Sequence, residues 1–147
     1  MTIDIIKYQR KLANRLNEFS SSFMSNAKWK KLFLKLSENK DIVYKCFIKD
    51  IFDDNLHEIE IPSAENFLNT FHDKGIKDVT TGGSLTFKQI ECLEFPTQWA
   101  ITREMRGQIL EPQKFTQDLL QIRKILHEVG QLEIELNEDK LVIYGYK

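Results

Sequence analysis

The step between apolar residues changes at Ile42, and that change constrains the fold of this chain more than any single motif. Before it, Ile5, Tyr8, Leu12, Leu16, Phe19 and Phe23 recur every three or four residues, the spacing of one helix face. Ser20-Ser21-Ser22 offers the backbone competing local bonds and should end that helix. Ser25 or Asn26 then suits the N-cap of a second helix over 27–37, whose apolar face is Trp29, Leu32, Phe33 and Leu36. Both helices are expected to lay these stripes on a core.

After Ile42 the step is two. Ile42, Tyr44, Cys46 and Ile48 alternate with Val43, Lys45, Phe47 and Lys49, and Asp53-Asp54-Asn55 supplies a turn before Leu56–Ile61 alternates again. An antiparallel hairpin follows. Pro62-Ser63 should open a short helix with Ala64, Phe67, Leu68 and Phe71 on one face and Gly75 at its C′ position. A second hairpin is expected around Gly82-Gly83, leaving through one long strand, Leu85–Phe95, that outruns the core or bends. Thr97–Glu111 is ambiguous: Trp99, Ile101, Met105 and Ile109 allow a helix, Gly107 and Pro112 argue for a broken one, and a loop crossing the sheet edge fits equally. Phe115, Leu119, Ile122, Leu126 and Val129 predict a helix closed by Gly130, followed by strands on either side of an Asn137–Lys140 turn.

Helices and hairpins in this order lack regular βαβ alternation. The expected class is α+β: a single domain over 1–147, with a mainly antiparallel sheet built from hairpins, helices packed on it, and two N-terminal helices. Residues 1–24 would be a helical extension on an α+β body, 25–147.

The function classes are narrowed mainly by what is missing from the sequence. The longest apolar runs fall far short of the ~20 residues that span a bilayer, and Asp4, Lys7, Arg10 and Lys11 interrupt any secretory signal core. Cys46 and Cys92 sit in hydrophobic stretches without a CxxC pair, as expected of buried, reduced thiols in the cytoplasm. His57, His72 and His127 show neither metal-ligand nor triad spacing, so no metal and no cofactor are expected. Thr80-Thr81-Gly82-Gly83-Ser84 lacks the Gly-Lys-Ser/Thr of a phosphate loop and leads into a strand. No catalytic residue is assigned; a small enzyme would need Glu91, Glu94 or a histidine brought together in one pocket.

Charge is split by position. Residues 1–40 hold nine Lys and Arg against three Asp and Glu, and residues 41–147 hold twelve against nineteen. Lys28, Lys30, Lys31 and Lys35, interleaved with Trp29 and Phe33, give an alternative reading as a nucleic-acid-associated regulator. Those aromatics are spaced as a core face, however, and a pI near 6.3 is low for a phosphate-binding module. A membrane-surface helix fits less well, because the same stripe is needed to close the core. The acidic remainder has two clusters. Asp50, Asp53, Asp54, Glu58 and Glu60 surround the first hairpin, and Glu133, Glu135, Glu138 and Asp139 surround the last. They are the candidate docking surface for a basic protein partner.

Three stretches carry a resemblance. They are Ser25-Asn26-Ala27-Lys28-Trp29-Lys30-Lys31-Leu32-Phe33, the Gly82-Gly83 turn before Glu91-Cys92-Leu93-Glu94, and Val142-Ile143-Tyr144-Gly145-Tyr146. Together they resemble a family of small uncharacterised bacterial proteins with an SN-x-KW start, a central aromatic-rich strand and a YGY end, matched here from Ser25 onward. Ala27 stands where Thr is expected, and Cys92 where an aromatic is expected. The family is similar in type to the immunity proteins of polymorphic toxin systems. The resemblance implies a non-catalytic immunity protein that neutralises a toxin domain, such as a basic nuclease, by direct binding. It also implies core positions for Trp29 and Tyr144.

Overall fold

The computed structural model describes residues 3–79 and 83–147. The described chain is α+β, with its sheets antiparallel throughout. It runs α1 (Ile3–Leu16), α2 (Asn26–Glu38), β1 (Phe47–Asp50), β2 (Leu56–Glu58), α3 (Phe67–Thr70), β3 (Phe71–His72), β4 (Gly75–Val79) and β5 (Gly83–Thr86). Then come β6 (Ile90–Pro96), β7 (Gln98–Met105), β8 (Gln108–Thr116), α4 (Leu119–Leu126), β9 (Ile134–Leu136) and β10 (Lys140–Tyr144). Five strands form the main sheet in the order β2-β1-β6-β10-β9; β3-β4-β5 and β7-β8 form smaller ones.

α2 is the helix the sequence describes best. The Ser25 side chain accepts from Lys28 N, satisfying one of the amides orphaned at the helix start. Trp29, Leu32, Phe33 and Leu36 are all buried. Phe33 stacks on Phe71 (centroids 4.7 Å apart) and on Phe87 (5.9 Å), joining the helix to the three-stranded sheet. Asp118 caps α4 by accepting from Leu120 N and Gln121 N, and α4 buries Leu119, Ile122 and Leu126. These helices share one core with Ile48, Leu93, Phe95, Leu141 and Ile143, which register places on one face of the main sheet.

Several expectations need correction. No residue of α1 is buried, so its stripe does not close the core. The helix lies over the β1–β2 turn, where Tyr8 meets Phe52 edge-on, Tyr8 OH donates to Gln89 Oε1 (2.7 Å) and Arg15 Nε donates to Ile51 O (2.6 Å). The serine run does end the helical region. The amides of Ser20 and Ser21 donate to Lys147 O, and Ser22 bridges to Tyr146. The first hairpin forms, but residues 42–46 are not strand. Tyr44 is exposed where alternation wanted it beside Cys46, because the amide of Gln117 takes the backbone bonds that a neighbouring strand would have taken.

The helix after Pro62 is split into a 3₁₀ turn at Ala64–Asn66 and the single turn of α3, leaving Leu68 exposed. Gly75 is not a helix cap. It begins β4, where an added Cβ would lie 2.3 Å from Leu85 O. β4 and β5 pair as the expected second hairpin; residues 80–82 of its turn, with the phosphate-loop candidates Thr80, Thr81 and Gly82, lie outside the described residues. The expected long strand bends at a 3₁₀ turn, Phe87–Gln89, and its two halves serve different sheets.

Residues 98–116 are neither helix nor crossing loop. β7 and β8 form a two-stranded arm closed by Arg106 (φ 53°) and Gly107 (φ 76°), both left-handed as a two-residue primed turn requires. An extra residue on β8 shifts the register between Ile101 and Arg103, and Pro112 lies in that irregular stretch. There its missing N–H costs no regular ladder bond. The predicted helix start at Phe115 likewise gives way: Phe115 belongs to β8 and α4 begins at Leu119.

Candidate partner-binding surface

The face of the main sheet turned away from α2 and α4 carries a cross-strand row fixed by register: Glu58, Phe47, Glu94, Val142, Glu135. Its three carboxylates alternate with apolar residues. Strands lie about 4.8 Å apart, so successive carboxylates sit about 10 Å apart across the sheet. Each carboxylate is held in place: Glu58 by Lys45 (3.0 Å), Glu94 by Lys140 (3.2 Å), and Glu135 by the Tyr144 hydroxyl (2.6 Å). That last bond, joined by partial burial, pushes the Tyr144 phenol up to about 12. Beside the row, Lys49 and Arg15 both reach Glu91, at 2.5 and 3.2 Å. Cys92 is buried beneath these long side chains, and desolvation raises its thiol to about 12. Burial also pushes the Cys46 thiol up. Neither thiol has the thiolate character of a nucleophile.

The two acidic turns, residues 50–55 and 137–139, fall at diagonally opposite corners of this sheet. β2 and β9 are its two edges, and the turns that carry the acids lie at opposite ends of β6. At the first corner the acids are largely engaged within the turn. Asp50 accepts from Phe52 N and Gln89 Nε2, and Asp53 accepts from Asn55 N and meets His57 Nε2 at 2.6 Å. The Asn55 amide and His57 hold the Asp53 carboxyl below its usual range. Asp54 is exposed. Glu60 lies beyond the other end of β2, past the Ile59–Cys46 backbone bond, where it lines a shallow hollow with Lys40, Asn66 and Asn69. Glu133 lies at the other end of β9, level with Tyr144, and pairs with Lys147. At the second corner Glu138 and Asp139 are exposed in the turn. Their backbone carbonyls accept from Thr97 Oγ1 and Thr97 N, pinning the root of the arm beside them.

The groups that would support catalysis or phosphate binding are dispersed. Glu91 and Glu94 are each bound by cations; His57 belongs to the first corner, His72 lies in β3, and His127 caps α4. Among the described residues no cluster of three His, Cys, Asp or Glu could hold a metal. Of the lysines on α2, Lys28 donates to Gln131 O, Lys30 pairs with Asp73 and Lys35 with Glu128, while Lys31 is exposed. Trp29 is a core residue, but Tyr144 lies half-buried on the outer face rather than in the core. No helix among the described residues is long and apolar enough to cross a membrane.

The arm is the surface that sequence reasoning missed. Trp99 stacks on Phe115 at its root (5.9 Å), with Lys45 Nζ 5.8 Å from the Trp99 ring. Pairing places Trp99, Ile101, Arg103 and Met105 on the same face as Leu110, Gln113 and Phe115. Ile101 is 48% exposed and Met105 61%. The signal that could have found it is the alternation from Trp99 to Met105 ahead of an Arg-Gly turn.

Residues 11–147 match the model of a family of unknown function (DUF6678), and the chain belongs to that family. No curated protein and no solved structure matches it.

Proposed function

We propose that this member of the family is a protein-binding module without catalytic activity, an immunity protein that neutralises a bacterial toxin domain by covering it. The observation that carries the reading is the row Glu58–Glu94–Glu135, fixed on the sheet face turned away from α2 and α4 and flanked by exposed Glu138 and Asp139. Carboxylates held by neighbouring donors are pre-oriented, so little side-chain freedom is lost when a cationic partner replaces or joins those donors. A nuclease domain presents cationic groups to phosphates, and a rigid array of carboxylates complements them while steering the encounter. The dispersal of Glu91, Glu94 and the histidines favours binding over chemistry.

The test uses a toxin domain encoded beside this chain's gene, with association followed by stopped-flow at two salt concentrations. Charge reversal at Glu135, Glu138 and Asp139 should slow association about tenfold or more at low salt and flatten its salt dependence. Reversal at Asp50, Asp53 and Asp54, at the far corner, should change it much less. Equal effects at both corners would reject this surface. A chain that protects cells from no neighbouring toxin would reject the function.

A further inference from the structure

We propose that the free edge of β7 pairs antiparallel with β7 of a second copy, joining two arms into one four-stranded sheet. Arg106 and Gly107 form a two-residue loop between the paired Met105 and Gln108, and the pair flanking such a loop exchanges both ladder bonds. Alternation then turns the backbone groups of Met105, Arg103, Ile101 and Trp99 toward β8. Those of Glu104, Thr102, Ala100 and Gln98 turn toward the open edge. The root agrees, since Thr97 O accepts from Gln117 N on the β8 side (3.0 Å). Gln98, Ala100, Thr102 and Glu104 are all exposed, and among the described residues β7 pairs only with β8.

Two edges are available on a two-stranded arm, and the sequence spoils one of them. β8 contains Pro112 and the register shift, and Arg103 Nε and Nη2 reach across to Glu111 O at 3.1 and 2.9 Å. β7 has eight residues without proline or glycine. A long, open edge beside an apolar face is a template for strand pairing, and natural proteins blunt such edges unless they use them.

Charge and facing select a second copy and one register. A two-fold axis normal to the sheet keeps the two apolar faces on the same side only if residues of equal parity oppose. With Thr102 on the axis, Trp99 lies opposite Met105 of the second copy, Ile101 opposite Arg103, and Ala100 opposite Glu104. The two exposed apolar residues of that face, Ile101 and Met105, gain cover, an aromatic ring meets a thioether, and no like charges oppose. Moving the axis to Arg103 sets two guanidinium groups directly against each other. Moving it to Ile101 leaves Met105 without a partner. The self-complementary register is therefore also the one that buries the arm's stripe.

Sedimentation equilibrium of the full chain tests this, over concentrations up to about 0.5 mM, because an edge-to-edge contact of this length belongs to the small, weak interfaces. The expected result is a concentration-dependent rise from the 17.4 kDa monomer toward twice that mass. Thr102→Pro removes an edge-facing N–H and should abolish the rise, with the far-ultraviolet circular dichroism of the body unchanged. Thr102→Cys should give a disulfide-linked dimer under mild oxidation, while Lys114→Cys on β8 should not; native Cys46 and Cys92 are buried and do not compete. A wild-type chain that stays monomeric throughout overturns the proposal. So does a dimer that survives Thr102→Pro, or cross-linking through Lys114→Cys instead of Thr102→Cys. A monomeric chain whose complex with a different protein is lost in Thr102→Pro would assign the edge to that protein and refute self-pairing.

Discussion

Gln117→Leu removes a side-chain amide that substitutes for a missing strand. Gln117 is 6% exposed. Its Oε1 accepts from Tyr44 N (3.0 Å) and Lys45 N (3.1 Å), while Nε2 donates to Lys45 O (2.9 Å) and Pro96 O (2.7 Å). Leucine preserves most of the volume and satisfies none of the four backbone groups. An unsatisfied buried group costs roughly 1–3 kcal/mol. Tyr44 is exposed and its amide can turn to water, and partial opening would hydrate a second group. With two groups left dry, the loss is about 3–4 kcal/mol, a large share of the ~5–15 kcal/mol that holds a domain together. Urea unfolding followed by circular dichroism and by tryptophan fluorescence measures it, with buried Trp29 reporting the core. Gln117→Glu supplies acceptors where Lys45 O and Pro96 O need a donor. It should be at least as damaging at neutral pH and recover as acid protonates the new carboxyl. A Gln117→Leu chain within about 1 kcal/mol of wild type would refute the assignment of segment 42–46 to this one side chain.

Two further outcomes are expected. Gly75→Ala places a Cβ against Leu85 O and the Thr86 Cα, backbone that must shift to accommodate it, so stability should fall by about 2–3 kcal/mol; an unchanged thermal midpoint would contradict the close approach. Burial raises both thiols, Cys92 to about 12, whereas an unfolded thiol titrates near ~8.5. The folded state thus keeps protons that the unfolded state releases: their contribution is complete below pH ~8.5 and is lost as pH rises through the folded values. The urea midpoint should decline steadily from pH ~8.5 to ~11 and decline less steeply in Cys92→Ala; identical slopes would refute this.

Legibility in the sequence followed how local each determinant is. α2 could be read to its cap because Ser25 and the Trp29, Leu32, Phe33, Leu36 stripe lie within a few turns of each other. α1 has equally good spacing but buries no residue, since nothing in its own sequence says that it lies beside a turn rather than across the core. Strand 85–95 kept its alternation through the bend at Phe87–Gln89, and only sheet membership reveals the break. In the arm, Arg103 occupies an apolar-face position and disguises the alternation, while Gly107, taken as a helix breaker, is half of the hairpin turn. The acidic residues of the candidate surface were visible one by one. The placing of the two acidic turns at opposite corners, and the Glu58–Glu94–Glu135 row, depend on the strand order, which no local pattern encodes.

β6 is flanked by β1 and β10, so the middle of the main sheet is closed by a strand from the end of this sequence. During synthesis β6 is made about fifty residues before β10, an interval of about 2–10 s at typical elongation rates of ~5–20 residues per second. Until then the edge of β6 is open where Leu93 will lie beside Ile143 and Phe95 beside Leu141. An open edge beside apolar side chains is the feature on which a nascent chain aggregates. A slower ribosome, rather than a weaker core, would be the harsher perturbation for this protein.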